Sequence, residues 1–343
     1  MQSNSMTQRT RVSESKRKAL KGLTASLLAA GLLSPGISAQ ADGKDNVFPG
    51  KWLSSTALQL TPPPEGREGY CAGRHGNEVI TTHGFTIFGD TGDVRIYDTA
   101  ANTWRNGTSS PNPRSEGVGV TQDGLVYCLG GRSLGVSSLV EAYDSVNDTW
   151  TLLNSMPTAR AGLAAAVRGS KIFTFGGNAV GAGPCSGPAL NVAEVYDIPS
   201  GTWDPITPPP IPVTHALAQT KGNKIYLIGG CQAPSAVLNA VQIYDTTTDT
   251  WAAGAPMPTP RASFALGTLG NTLYAMGGWN AGTGNLSIVE AYDVDKNTWS
   301  GPLTPKTTAS SENFAVAHDA TLYVVGSGSF GLAAKVFEAF SRK

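Results

Sequence analysis

Arg114, Arg160 and Arg261 each stand 16 residues ahead of a glycine that closes an apolar, β-rich run. Arg74 precedes such a glycine by 15 residues and His215 by 14. A guanidinium forks onto carboxylates and other acceptors, so a partial ring of arginines suits an acceptor-rich ligand. The plainer use of the same residues is to pair with acids or carbonyls that hold the fold together. Trp279 and Asn280 directly follow a glycine pair, where an indole beside an amide can stack on a sugar ring or a peptide, or simply pack. The sequence shows no nucleophile motif, phosphate-binding loop or metal-spaced Cys/His cluster, so no cofactor and no metal is expected. Of the four cysteines, Cys185 and Cys231 fall in successive loops and are expected to form a bridge. Cys128 lies inside a strand and is expected to be buried; Cys71 has no assignment.

These positions belong to a repeat of about fifty residues. Tyr-Asp recurs at Tyr97-Asp98, Tyr143-Asp144, Tyr196-Asp197, Tyr244-Asp245 and Tyr292-Asp293. A tryptophan follows each Tyr by seven residues, at Trp104, Trp150, Trp203, Trp251 and Trp299. Ahead of each pair lies a strand-like run: Phe85 to Gly89, Val126 to Gly131, Ile172 to Gly177, Ile225 to Gly230 and Leu273 to Gly278. A worn copy, Leu322 to Gly326, ends with Ser327 where the second glycine would stand. Repeats of this length mean stacked supersecondary units, each unable to bury its apolar face alone.

On the Gly-Gly, Tyr-Asp and Trp positions the chain resembles the Kelch repeat, over essentially all of its length after residue 41. The resemblance implies an all-β, six-bladed Kelch β-propeller, with four antiparallel strands per blade around a central channel. One copy gives the strand order: Arg160 to Val167 innermost, then Lys171 to Gly176, Asn191 to Asp197, and Thr202 to about Ile206 outermost. The glycine pair would let backbone approach the next blade or adopt positive φ. The Tyr and Trp would pack blade on blade. Five blades are complete, and the sixth stops after its third strand. Lys51 to Thr56, with Trp52, reads as its missing outer strand, so the N-terminal strand is expected to close the ring and remove its open edges.

The spacing varies chiefly between the glycines and the next Tyr-Asp, in the loop joining strands two and three. The lead-in to blade one, from Trp52 to Gly89, is also long. Loops 2–3 and 4–1 emerge on one end of an up-and-down blade, and variable loops on a fixed scaffold are where binding resides. Arg74, Arg114, Arg160, His215, Arg261, Trp279 and Asn280 are therefore the expected ligand-binding set. The expected ligand is a protein, peptide or carbohydrate. In Kelch proteins that bind acidic peptides, arginines near these positions line the pocket, and the resemblance implies the same here.

The resemblance also implies a rival reading, a carbohydrate-active enzyme. The copper site of galactose oxidase, a Kelch enzyme, needs two histidines and a tyrosine cross-linked to cysteine, and this chain's four His are not expected to assemble a multi-His copper site. His83 and His318 are read as lying in 1–2 turns on the opposite face, leaving His75 and His215 on the ligand face. Six blades and an export signal are also similar to the bacterial sialic-acid mutarotases, although their sizeable inter-blade insertion is not found. Glu116 and Glu312, near the starts of inner strands, would be the acid and base of such an enzyme.

Residues 1–41 read as a signal peptide. Six Lys/Arg against one acid precede the apolar run Gly22 to Leu33 and an Ala39-Gln40-Ala41 site. That run is too short to span a bilayer. Ser15 to Lys21 is similar to a twin-arginine signal with Lys16 in the first arginine's place. Residues 42–343 then carry 19 basic and 24 acidic side chains, which gives no basis for binding nucleic acid. The expectation is an exported monomer, periplasmic or extracellular, with no membrane span after cleavage.

Overall fold

A computed structural model describes residues 51–52, 60, 66–181, 183, 185–232, 236–327 and 336–341. The expected signal peptide lies outside them. The described residues form six four-stranded antiparallel sheets and two small hairpins. Blade two shows the plan: Val118–Gln122 is innermost, followed outward by Leu125–Leu129, Val140–Asp144 and Thr149–Leu153. The chain is a six-bladed β-propeller.

Each blade buries one face of its sheet against the next, giving six apolar wedges, one per junction. Between blades one and two lie Ile80, Val94, Ile96, Val126 and Tyr143. Between blades six and one lie Tyr97, Val79, Tyr323 and Phe337, and the last junction makes the ring continuous. The repeat residues build these joints. Tyr143 Oη donates to Asp148 at 2.5 Å, and the equivalent Tyr244 donates to Asp249 at 2.7 Å, tying strand three to its turn. Trp150 Nε1 donates to Thr108 O of the preceding blade at 2.8 Å, and Trp203, Trp251 and Trp299 repeat the contact.

The second glycine of each pair donates its N–H to the next blade, at the carbonyl of the residue that is Arg in blades one, two, three and five. Gly84 reaches Arg114 O at 2.8 Å, Gly131 reaches Arg160 O at 3.0 Å and Gly177 reaches Val213 O at 2.8 Å. Backbone that close leaves no room for a side chain. A Cβ on Gly176, whose φ is +60°, would overlap the Val213 carbonyl oxygen.

Blade six closes as the sequence predicts. Lys51–Trp52 pairs antiparallel with Val336–Ser341, opposing Trp52 to Phe340. Trp52 Nε1 donates to Thr304 O at 2.9 Å, the contact that Trp150, Trp203, Trp251 and Trp299 also make.

Blade one departs from the reading above. Its second strand is Glu78–Thr82, and Phe85–Gly89 is not that strand. Phe85–Thr86 and Gly89–Asp90 instead form a hairpin in the 2–3 loop. His83 occupies the first-glycine position and Gly84 the second. The apolar run 85–88 imitates a strand, which is why the register slips by six residues there. The inner strand is Cys71–His75, whose 1–2 turn is Gly76-Asn77.

Candidate functional site

The slip relocates three predicted residues. Arg74 and His75 lie at the 1–2 turn end, where Arg74 Nη1 sits 3.0 Å from His318 Nδ1. They therefore face away from the 2–3/4–1 end. His83 lies at that end, not in a 1–2 turn. The arginine that truly matches Arg114 is Arg67, which donates to His83 O and Asp93 O.

Arg114, Arg160 and Arg261 form no ligand ring. They are 2%, 0% and 0% exposed, committed to carboxylates on the third strand of their own blades. Arg114 pairs with Glu141, Arg160 Nη1 with Glu194 at 2.9 Å, and Arg261 with Glu290. Blade six uses Lys306 and Glu338 at 3.1 Å. Blade four replaces the pair with Val213 and Gln242, whose amide bonds both ways to the Ile211 backbone at 2.8 and 3.0 Å. Each clamp fastens the lead-in of strand one to strand three. Near Arg114, burial and the guanidinium charge hold the His83 imidazole down to about 4. Glu141 is lowered to about 2 by hydrogen bonds from His83 and Arg114 and by the guanidinium charge, against the opposing pull of burial.

The cysteines make two cross-blade staples. Cys185 and Cys231 join the 2–3 loops of blades three and four, with Cα atoms 5.4 Å apart. Cys71 and Cys128 join the inner strand of blade one to the second strand of blade two, with Cα atoms 5.6 Å apart. That second bridge has no counterpart in the sequence reading. Trp279 packs half-buried against Cys185, Cys231 and Ala262. Asn280 spends its amide on Pro260 O and its oxygen on Gly282 N.

What does converge lies two residues beyond Arg67, Arg114, Arg160, Val213, Arg261 and Ser310. Gly69, Glu116, Gly162, His215, Ser263 and Glu312 all have φ between +50° and +61°. Backbone bonds link them around the axis: Glu116 N to Gly69 O, Gly162 N to Glu116 O, His215 N to Gly162 O and Ser263 N to His215 O, at 2.6 to 3.0 Å. Asn313 N continues the collar to Ser263 O at 3.2 Å. Four of the six are not glycine, so side chains are carried where L residues are strained, a pattern that clusters at functional sites.

The collar surrounds a chamber of about 40 Å³ lined by Glu116, His215, Ser263 and Glu312 with Leu163, Asn313 and Phe314. A larger cavity of about 290 Å³ runs along the inner strands toward the 1–2 end, past Thr121, Gln219, Thr220 and Arg74. Glu116 Oε2, His215 Nε2 and Glu312 Oε1 are buried without a hydrogen-bond partner. Glu116 Oε1 accepts from Arg132 Nε at 2.8 Å, and its other oxygen lies 3.9 Å from His215 Nε2. Burial, reinforced by the Glu116 charge, raises Glu312 to about 8, although the Ser263 hydroxyl opposes this. Burial lowers the His215 imidazole. A neutral acid, an imidazole and a second carboxyl group thus share one water-sized space. Of the predicted residues, the structure brings together Glu116, Glu312 and His215.

A second feature occupies the same end. Phe85, Ile87, Phe88, Leu134 and Val180 are five of the seven exposed large hydrophobics recorded, and all stand on the 2–3 loops of blades one to three. Phe88 is 91% exposed. Sequence reasoning missed this crest by assigning residues 85–88 to a buried strand.

Comparison with known proteins agrees with this architecture. Residues 113–157 match the Kelch motif, and residues 179–337 match the KLHDC2/KLHL20/DRC7 Kelch-repeats domain. The chain is a Kelch-repeat β-propeller. No curated protein matches it. The solved structure of YjhT is similar, with a TM-score of 0.71 at 17% identity, covering 81% of this chain and 95% of that one. That likeness is one of fold.

Proposed function

We propose that this protein is an exported binding module that recognises a protein or peptide partner on its 2–3/4–1 face. The apolar crest on three consecutive blades supports the reading, because monomers seldom expose large hydrophobics together without a use for them. With Arg114, Arg160 and Arg261 spent inside the blades, recognition of an acidic peptide by an arginine ring has no support. Contact is instead apolar, made by Phe88, Ile87 and Leu134 around the collar.

Burying one such side chain is worth about 1.5–3 kcal/mol, roughly ten- to hundredfold in affinity. Peptides selected from a random displayed library against residues 42–343 should therefore be apolar. They should lose at least tenfold in affinity to the Phe88→Ser, Leu134→Ser variant at unchanged melting temperature. Failure to enrich peptides, or binding indifferent to that variant, would refute the reading.

The chamber favours a second reading, a sugar-active enzyme in which Glu312 donates and Glu116 accepts a proton. Anomer exchange of reducing sugars, sialic acid included, followed by NMR tests it. Catalysis that disappears in Glu116→Gln would replace the binding reading.

A further inference from the structure

The hydrogen-bond pattern around His215 fixes what the chamber offers a ligand. Thr214 Oγ1 has one proton, which points to Gly162 O at 3.3 Å, and it accepts from Asn178 Nδ2 at 3.1 Å. His215 Nδ1 lies 2.9 Å from that same oxygen, and with the hydroxyl proton directed to Gly162 O the imidazole supplies the proton between them. This tautomer leaves Nε2 bare, an acceptor aimed into the chamber. Glu116 Oε2 and Glu312 Oε1 are two more buried acceptors there without partners, beside the Ser263 hydroxyl, which also lacks one. The chamber therefore presents three acceptors.

The charges agree. Glu312 faces Glu116 on blade two and Glu68 on blade one, with Arg132 as the nearby cation. Arg132 directs its Nε to Glu116. The Tyr70 hydroxyl, itself beside Arg67, is held well above its usual range by burial and the Glu312 charge, so it remains neutral. His215, on blade four, is neutral through burial. Ser263, on blade five, contributes a hydroxyl. With Glu312 ionised, the negative charge exceeds what Arg132 offsets.

A metal ion fits poorly. Among the described residues the only cluster of potential metal ligands lying within 4.8 Å of one another is Cys71, His83 and Cys128, whose two sulfurs are bonded to each other. A group with three N–H donors fits better, because it holds its partners about 2.8–3.0 Å away instead of at metal–ligand distance. The chamber, at about 40 Å³, is close to one water's share of liquid volume, roughly 30 Å³.

The geometry points to an ammonium pocket: Glu116, Glu312 and His215 receive the protonated amine of a lysine side chain or a chain terminus on the partner whose apolar residues cover the crest. This deepens the peptide-binding reading and rests on it. The amine arrives with its three protons, Glu312 gives up its own to solvent, and the new carboxylate faces the ammonium. With Glu312 near 8, about 0.9 of a proton leaves per amine bound at pH 7. For a lysine side chain, affinity then rises about tenfold from pH 6 to 7 and levels off above about 8; for a chain terminus, whose amine deprotonates near pH 8, it falls again above that.

Isothermal titration in phosphate and in Tris, whose ionisation heats differ, counts the protons. The probes are acetyl-Leu-Lys-Leu-amide with its norleucine counterpart, and Gly-Leu-Leu-amide with its N-acetylated form. The expected result is at least tenfold tighter binding of one charged probe than of its neutral twin, with release of most of a proton at pH 7. Which charged probe wins identifies side chain or terminus. Glu312→Gln should abolish the proton release. Should that variant fail to fold, the wild-type comparison at pH 6 and 8.5 carries the test alone. Equal binding of charged and neutral probes, no binding of either, or binding without proton release overturns the pocket. Phe88→Ser weakens charged and neutral peptides alike, so failure of the crest and failure of the pocket are distinguishable.

Discussion

Replacing Arg160 by Val should damage the fold, and restoring a neutral partner should repair most of it. Arg160 is fully buried, and its guanidinium faces Glu194 at 2.9 Å. Removing the arginine strands a buried carboxylate, a loss of about 3–5 kcal/mol. In a domain of this size that corresponds to a fall in melting temperature of roughly 6–20 °C. Blade four already shows a neutral version of the clamp, Val213 with Gln242 bonded to the Ile211 backbone. The double variant Arg160→Val, Glu194→Gln copies it, and should recover all but about 1–2 kcal/mol, since a buried pair exchanged for well-packed neutral groups is often near neutral. Scanning calorimetry of wild type, single and double variants reads the difference. A single variant within 1 °C of wild type, or a double variant worse than the single, would refute the account of Arg160 as a clamp.

Two further outcomes follow from the same geometry. Trp52→Ala should lower stability by about 3–5 kcal/mol, because it empties a wedge position and removes the bond to Thr304 O; a melting temperature like wild type would mean that the latch is not needed. Stability should peak near pH 5–6. Glu312 is raised from 4.5 to about 8, so the folded state holds its proton longer than the unfolded chain and stability declines from about pH 4.5 to 8. His83 is lowered to about 4, so stability is also lost as pH falls from 6.5 through 4. Glu312→Gln should flatten the alkaline limb alone, as chemical denaturation from pH 4 to 9 would show; a limb unchanged by the variant would contradict the assignment.

The propeller was legible because its joints are built from residues that few other sites tolerate. A glycine touching the next blade, a tyrosine tied to its own turn and a tryptophan reaching back one blade leave fixed spacings. Blade one was misread because His83 stands in the first glycine's place while Phe85 to Gly89 imitates the missing run. A better signal was present: Arg67 lies 16 residues before His83, the spacing of the other arginines. The direction those arginines face was also encoded, two residues before each tyrosine, by Glu141, Glu194 and Glu290. A guanidinium with an acid at that register turns inward. The collar follows the clamp by two residues in five blades and by six after Lys306, but its chemistry emerges only when side chains from four blades meet on one axis. The Cys71–Cys128 bridge spans 57 residues and has no local signature.

Among the described residues, the latch on blade six pairs Lys51–Trp52 with Phe340 and Ser341. It joins positions 288 residues apart, Trp52 and Phe340, so nearly the whole chain must be in place before it can engage. Until then the ring is an arc with two raw ends. One is the strand Val336–Ser341, whose unpaired backbone can template a second chain. Opening the latch exposes the same strand edge again. The N-terminal strand therefore decides whether the blades behave as a single particle or as a sticky fragment.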